Sequence, residues 1–276
     1  MTTASFQAGT LANRAVLWVS GAEARQFLHN LLTADIDGLA KGRATYAALL
    51  TPQGKILSDM FVLDAGDGFV IDCAASQRDE LLKRLTFYRL RAKVDIASDD
   101  RRVIVSPIAP LTGARYFSDP RTPDLGFRGF SEIAAAPAED YDAARLTLGL
   151  ADSVADIGSG ELFPHEANLD QLGAVSFTKG CYIGQEVVSR MEHRGSARNR
   201  VLPVTLAGAA PARGAEIRCG GKLIGTLMSS SGTRALALLR LDRLAEAREP
   251  LLTTDVAVTV HRPKWVRYDV PGAKTQ

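Results

Sequence analysis

"FTKGCYIGQEVVSR", residues 177–190, carries the densest polar chemistry of the chain. Cys181 follows Lys179 and Gly180 and precedes Tyr182; Gly184, Gln185 and Glu186 come next. Glycine lets the backbone take positive φ and lets other groups approach closely. From Gln185 the run favours a helix, so Cys181 is expected just before a helix N-terminus, where the dipole favours a thiolate. Lys179 adds positive charge nearby. Such a setting suits a reactive or metal-binding sulfur, whereas a lone free cysteine is usually a small buried hydrophobe. Zinc and complete iron–sulfur sites need several ligands, and no second cysteine or paired histidine lies close by in sequence, so no metal site is expected. A cysteine–histidine nucleophile with His165 or His193 as base stays open. Gln185 and Glu186 suit a heteroaromatic ligand; a glutamate in a first helical turn also simply complements the dipole.

Upstream, "SGAEARQFLHNLL" opens with Ser20 and Glu23 in capping-box spacing and continues with an apolar helical stripe. "SQRDELLKRLTFYRL" repeats the scheme, with Ser76 as the expected cap and Asp79 in the first turn. Between them, residues 45–50 and 55–75 read as strands, with Ala65-Gly66-Asp67-Gly68 as a hairpin turn. "AKVDIAS" and "RRVIVSP" give two more strands. The stretch from Ser106 to Phe130 is rich in proline and glycine and reads mainly as loop, and Ala138 to Leu148 as helix. After Arg194 come short β-type runs punctuated by glycine, proline and serine, the pattern of a small barrel. The boundary falls near residue 197, giving an α+β region over 1–197 and a β-barrel over 198–276.

The length of 276 residues suits about two domains. A net charge of +2 gives no case for a nucleic-acid or membrane surface, so neither partner is expected. Cys73, Cys181 and Cys219 are scattered and odd in number, which argues against a disulfide framework and for a reducing compartment. The first residues lack the apolar core of a signal peptide and read into structure by Ala15, leaving no room for a transit peptide. A bacterial-type cytoplasmic location is expected.

Phe177 to Arg190 resembles the signature of the YgfZ family, folate-binding proteins related to the T-protein of the glycine cleavage system, an aminomethyltransferase. "GAEARQFLHNLLTADI", "TPQGKILSDMFVL", "FYRLRAKVDI", "FPHEANLDQLGAVSFTKGCYIGQE" and "VTVHRPKWVRYD" resemble the family's segments in the family's order. The resemblance implies an α+β fold: a T-protein-like ring of two α+β parts (ferredoxin-like, T-fold type) around a central channel, plus a C-terminal small β-barrel. It implies tetrahydrofolate or a derivative as cofactor, bound in that channel. It also implies service to iron–sulfur enzymes, including one that methylthiolates tRNA, with iron–sulfur client or assembly proteins as partners. The motif residues carried over are Lys179, Gly180, Cys181, Tyr182, Gly184, Gln185, Glu186 and Arg190. Asn168 and Asp72 are the implied folate contacts, Asp72 on a strand similar to the one lining the T-protein's pterin pocket.

Two departures stand out. The T-protein has two adjacent acids where this chain has Ser58-Asp59, and a pterin-gripping glutamate where this chain has Thr147. A hydroxyl does not form the paired, charge-assisted contacts of a carboxylate. An accessory factor using the Cys181 thiol is therefore the leading expectation. A folate-dependent aminomethyltransferase or demethylase, with Asp59 as acid–base group, is the alternative. Arg190, Arg194, Arg198 and Arg200 are expected to attract an anionic polyglutamate tail.

Overall fold

Alternation along the strands divides the N-terminal half into an outer and an inner face. The computed structural model describes residues 5–108, 115–133, 135–195 and 197–275. In chain order it begins with β1 (Gly9–Thr10), β2 (Arg14–Ser20), α1 (Ala24–Leu31), β3 (Ala44–Leu50), β4 (Ile56–Asp64), β5 (Phe69–Ala74), α2 (Arg78–Arg89), β6 (Asp95–Asp99) and β7 (Arg102–Ser106). Five of these strands form an antiparallel sheet in the order β3-β4-β5-β2-β6. Successive side chains in a strand point to opposite faces. Leu17, Leu49, Met60, Val62, Ile71 and Cys73 pack under Leu28 and Leu32 of the α1 segment and Leu81 and Leu85 of α2. Tyr46, Ala48 and Phe61 belong to the central core instead.

The helix starts differ from the capping pattern. Ser20 ends β2, paired with Asp95, and Glu23 accepts the Lys93 backbone N–H at 2.6 Å, so α1 begins only at Ala24. Ser76 lies in a 3-10 turn, and Gln77 holds the cap position of α2.

Next come β8 (Arg115–Ser118), β9 (Phe127–Ser131) and α3 (Tyr141–Thr147). A second antiparallel sheet runs β1-β7-β9-β8. The loop reading of Ser106 to Phe130 is thus corrected; residues 109–114 lie outside the described residues. Pro120, Pro123 and Gly126 occupy only the connection between β8 and β9. The flanking Phe117 and Phe130 bury against Val16, Leu63 and Val70 of the first sheet, and that burial outweighs the turn-forming composition.

The last elements are α4 (Gln185–Arg194) and the strands β10 (Asn199–Leu206), β11 (Glu216–Cys219), β12 (Lys222–Ser231), β13 (Arg234–Arg240), β14 (Leu251–Thr253) and β15 (Val256–Arg262). They follow the order β10-β13-β12-β11-β14-β15, and pairing of β10 with β15 closes a six-stranded barrel. Closure removes the exposed edges of an open sheet. Leu202, Ile217, Leu227 and Leu239 fill its interior, while Val201, Met228 and Leu236 join the central core that also holds Phe61 and Tyr141. The architecture is the α+β ring with a C-terminal small barrel.

Asp72 on β5 ties the two sheets. Its Oδ1 accepts from Arg14 Nε and its Oδ2 from Arg128 Nη1, both at 2.6 Å, with all three side chains buried. Burial disfavours the Arg14 charge, but Asp72 and then Asp59 outweigh it and raise the guanidinium pKa. Removing one member of such a group strands the others' charge. Asp72→Ala is expected to destabilise the chain by about 3–5 kcal/mol, read by urea unfolding. A loss below about 1 kcal/mol, the range of exposed pairs, would show that the clamp does not hold the sheets.

Candidate functional site

A cavity of about 470 Å3 opens between the inner face of the first sheet, β9 and α3. Its walls include Arg14, Asp59, Phe61, Arg121, Arg128, Tyr141, Arg145 and Ser153. The guanidinium carbons of Arg128, Arg121 and Arg14 lie 4.1, 4.8 and 5.7 Å from the Phe61 ring centre. A ring face attracts cations, the more so when desolvated. Asp119 pairs with Arg121 at 2.8 Å; burial disfavours its charge, yet Arg121 and Arg128 draw its pKa below the ordinary value. Tyr141 Oη accepts from Arg128 at 2.8 Å and from Arg121 at 3.2 Å. These three arginines thus meet three buried acids, Asp59 in the cavity wall and Asp72 and Asp119 behind it.

Asp59 stands at the centre. Its Oδ2 accepts from Tyr46 Oη at 2.7 Å and from Ser153 Oγ at 3.0 Å. Burial and the adjacent Asp59 charge push the Tyr46 phenol up, so it stays protonated and donating. Among the described residues, buried Asp59 Oδ1 and Arg128 Nε make no hydrogen bond, Arg128 Nε lying 3.6 Å from Asp119 Oδ2. The Phe61 ring itself is covered, stacked against Tyr46 at 5.1 Å and capped by the guanidiniums, so the cavity offers a ligand its charged and hydroxyl groups rather than the ring. The volume lies within the usual range for ligand pockets, about 300–1,000 Å3. A concave site of this size, walled by guanidiniums, a carboxylate and hydroxyls, has room for a pterin-sized polar group.

Ser58 does not belong to this wall. By strand alternation it shares the outer face with Met60 and Val62, so only the second of two adjacent acids there faces the cavity. Thr147 Oγ1 donates to Ala143 O at 2.7 Å, and the residue lines a neighbouring cavity of about 790 Å3. Asp72 and Asn168, the implied folate contacts, do not line the 470 Å3 cavity. Asp72 is saturated by Arg14 and Arg128. Asn168 donates to Val201 O at 2.6 Å and accepts from Tyr268 Oη at 2.7 Å, so both ends of its amide are used by the barrel. Sequence reading missed Arg14, Phe61, Arg121, Arg128, Tyr141 and Ser153. The available signal is charge on an inward position of an apolar strand, as in "FVIDCA" around Asp72.

The 177–190 motif forms a second feature, and none of its residues lines the cavity. Lys179 Nζ donates to Leu32 O at 2.6 Å, to Ala34 O at 2.9 Å and to His29 O. It thereby satisfies carbonyls that the end of α1 leaves open. Burial pushes the Lys179 amine down to about 8, opposed by Asp35 and Asp37. Gly184 has φ +80° at the start of α4, and a Cβ there would meet Thr51 O at 2.6 Å, so glycine is required. Gly180 has open space around it and no such need. Tyr182 is buried, its hydroxyl has no partner, and burial pushes it up to about 12. Glu186 pairs with Arg190 one turn along α4, and Gln185 opens that helix.

Cys181 is exposed, whereas Cys73 and Cys219 are buried. Burial pushes the Cys73 thiol up to about 12. Among the described residues no side chain hydrogen-bonds Cys181, and His165 Nε2 faces Glu192 Oε2 at 3.0 Å, so no cysteine–histidine dyad forms. His165, Asp170 and Glu192 bring potential ligand atoms within 4.8 Å of one another. Arg200, 2.7 Å from Asp170, already supplies positive charge there. The basic run does not present one face: Arg200 is buried in that pair and Arg190 is engaged by Glu186.

Comparison with known proteins bears on both features. Residues 11–106 match the family described as GCVT N-terminal domain, and residues 198–268 match CAF17, C-terminal beta-barrel domain. The mouse iron–sulfur cluster assembly factor IBA57, mitochondrial, is 31% identical over 303 residues, covering 92% of this chain and 84% of its own. The human protein of that name is 31% identical over 275 residues, covering 85% and 77%. An IBA57 homolog of Pyricularia oryzae is 34% identical over 230 residues, covering 74% of this chain but 58% of its own length. The chain thus spans little more than half of that fungal relative. The crystal structure of aminomethyltransferase T from Bartonella henselae superposes with a TM-score of 0.75 at 17% identity, covering 99% of this chain and 89% of its own, a likeness of fold. The expected bacterial-type cytoplasmic location is corrected by these relatives, whose names place them in mitochondria. Scattered cysteines fit any reducing compartment, so they did not discriminate. Among the described residues no helix is long and apolar enough to cross a membrane.

Exposure separates the three thiols. With a disulfide reagent at neutral pH, Cys181 is expected to react fast, and Cys73 and Cys219 only on unfolding; rapid native labelling of Cys73 would contradict the burial. Lys179→Met should free the loop from α1, raising amide exchange in residues 29–34 and 177–184, with a stability loss of about 1–3 kcal/mol. Unchanged exchange there would show that the lysine does not latch the loop.

Proposed function

The chain belongs to the family of the iron–sulfur cluster assembly factor IBA57, and from that premise we propose that it is a tetrahydrofolate-binding accessory factor of the YgfZ type. Its clients are iron–sulfur enzymes, tRNA-modifying ones among them, and its partners are those clients or other assembly proteins. The observation that carries the reading is the exposed Cys181 on a loop latched to α1, in a chain whose other two cysteines are buried. Cys181 is the thiol that meets cargo or partner. Lys179 and Gly184 hold it in place, Tyr182 anchors the loop, and Glu186 and Arg190 pair along the following helix.

Residues 1–197 form the folate-binding region in this reading, with 198–276 as the barrel that buttresses it. Tetrahydrofolate occupies the 470 Å3 cavity. Asp59 and the guanidiniums of Arg14, Arg121 and Arg128, all in the cavity wall, recognise the pterin edge. When bound, the folate supplies one-carbon or redox chemistry. Asp72 acts indirectly, by holding Arg14 and Arg128, and Asn168 by fixing the segment before the motif to the barrel.

Aminomethyl transfer or demethylation is the second reading, with Asp59 as the acid–base group. It is favoured by the placement of Ser58 on the outer face, since the missing first acid takes nothing from the cavity wall. It is opposed by Thr147, whose hydroxyl is bound to its own helix.

Titration with tetrahydrofolate tests the cavity: saturable binding is expected, weakened about tenfold or more by Asp59→Asn, a change worth about 1.4 kcal/mol. Absence of saturation up to millimolar ligand would remove folate from both readings. In a strain lacking the gene, Cys181→Ala should fail to restore iron–sulfur enzyme activity while Cys73→Ala restores it. Full rescue by Cys181→Ala would end the thiol's role. Sustained turnover of methylamine-type substrates with tetrahydrofolate would transfer support to the second reading.

A further inference from the structure

α2 ends in a knuckle that the fold itself does not use. Phe87 and Leu90 are 74% and 84% exposed. Leu90 caps the helix with φ 48° and ψ −106°, a backbone region that favours glycine. Its side chain buries almost nothing, so neither packing nor backbone geometry asks for leucine there. Residues held in sparsely populated backbone regions cluster at functional sites. The knuckle is nevertheless well held. The Phe87 ring meets Tyr88 edge-on at 5.7 Å, Tyr88 packs against the core beneath the helices, and Arg89 Nη1 donates to Val94 O at 3.2 Å across the following turn.

Cations ring the apolar tip. Lys83, Arg91 and Lys93 are exposed, and none of them forms an ion pair among the described residues. Arg84 and Arg89 flank them, Arg84 paired with Glu80 at 2.7 Å. From Arg78 to Asp95 six basic residues, Arg78, Lys83, Arg84, Arg89, Arg91 and Lys93, face three acids, Asp79, Glu80 and Asp95. We infer that this knuckle is a docking surface for a protein partner that offers an apolar pocket ringed by carboxylates. Phe87 and Leu90 enter the pocket, and the cations orient the encounter, since complementary charge governs specificity and association rate. An anionic bilayer fits less well, since only two large apolar side chains project. The inference stands apart from folate binding and from Cys181.

Leu90→Gly gives a clean test, because it relieves the backbone while deleting the anchor. Its melting temperature should be unchanged or higher, by up to about 2–4 °C. A photo-crosslinking residue at position 90 of the full chain, in cells, should give a discrete protein adduct. That adduct should vanish when Lys83, Arg91 and Lys93 are all changed to Glu. With the adduct partner purified, Leu90→Gly and Phe87→Ser should each weaken binding tenfold or more, and added salt should slow association. The folate affinity of both variants should stay at the wild-type value, so a failed folate titration leaves this inference untouched. The inference is overturned by wild-type partner affinity in both variants, by an adduct indifferent to the charge reversal, by the absence of a protein adduct, or by sedimentation with phosphatidylcholine–phosphatidylglycerol vesicles.

Discussion

The carboxylate of Asp72 is the interaction on which the arrangement of the two sheets depends. It sits fully buried on β5 and holds Arg14 from β2 of the same sheet and Arg128 from β9 of the other. A lone carboxylate in such surroundings is costly, and two guanidiniums with short hydrogen bonds make it tolerable. The consequences spread from there. Arg14 reaches Ser153 at 2.6 Å, Ser153 reaches Asp59, and Arg128 reaches Tyr141 at the start of α3. The cavity wall is therefore one connected polar network, in which each group is positioned by the next.

The barrel is joined to this body by polar contacts as well as by shared apolar core. Arg200 on β10 donates to Asp170, and Tyr268 and Val201 hold the amide of Asn168. Trp265 donates to Leu148 O at 2.9 Å just beyond α3, and Arg145 reaches Ser229 at 3.2 Å. The segment that leads into the cysteine motif is thus fixed at one end by the barrel, and Lys179 fixes the motif itself to α1. A reactive thiol needs exposure together with a defined position, and this arrangement supplies both without using the cavity residues.

The cavity and the thiol loop occupy separate places, which has a chemical meaning. The cavity presents charged and hydrogen-bonding groups in a concave pocket. The loop presents a sulfur at the surface. A chain built this way has the means to hold a small cofactor and meet a protein or its cargo as two distinct operations.

Much of this was legible beforehand. The strands between Ala44 and Ser106, the helix over Gln185–Arg194 and the barrel runs after Arg194 follow from alternation, helical spacing and turn residues, because these signals are local. The motif around Cys181 was legible for the same reason: its residues are contiguous. Other features were not. β8 and β9 were hidden by the prolines and glycines in and around them, Gly129 inside β9 among them, since only packing of Phe117 and Phe130 against the first sheet makes them strands. Asn168 reads as a ligand contact until the barrel is seen to use both ends of its amide. Arg121, Arg128 and Tyr141 are remote from Asp59 in sequence, and nothing local marks them as its neighbours. The sequence by itself determined most of the elements, their faces and the residue types gathered in the 177–190 stretch. Which charges meet around Phe61, and that Cys181 alone of three thiols reaches solvent, was decided by tertiary structure, because burial and ion pairing depend on distances that close only when the sheets and barrel pack.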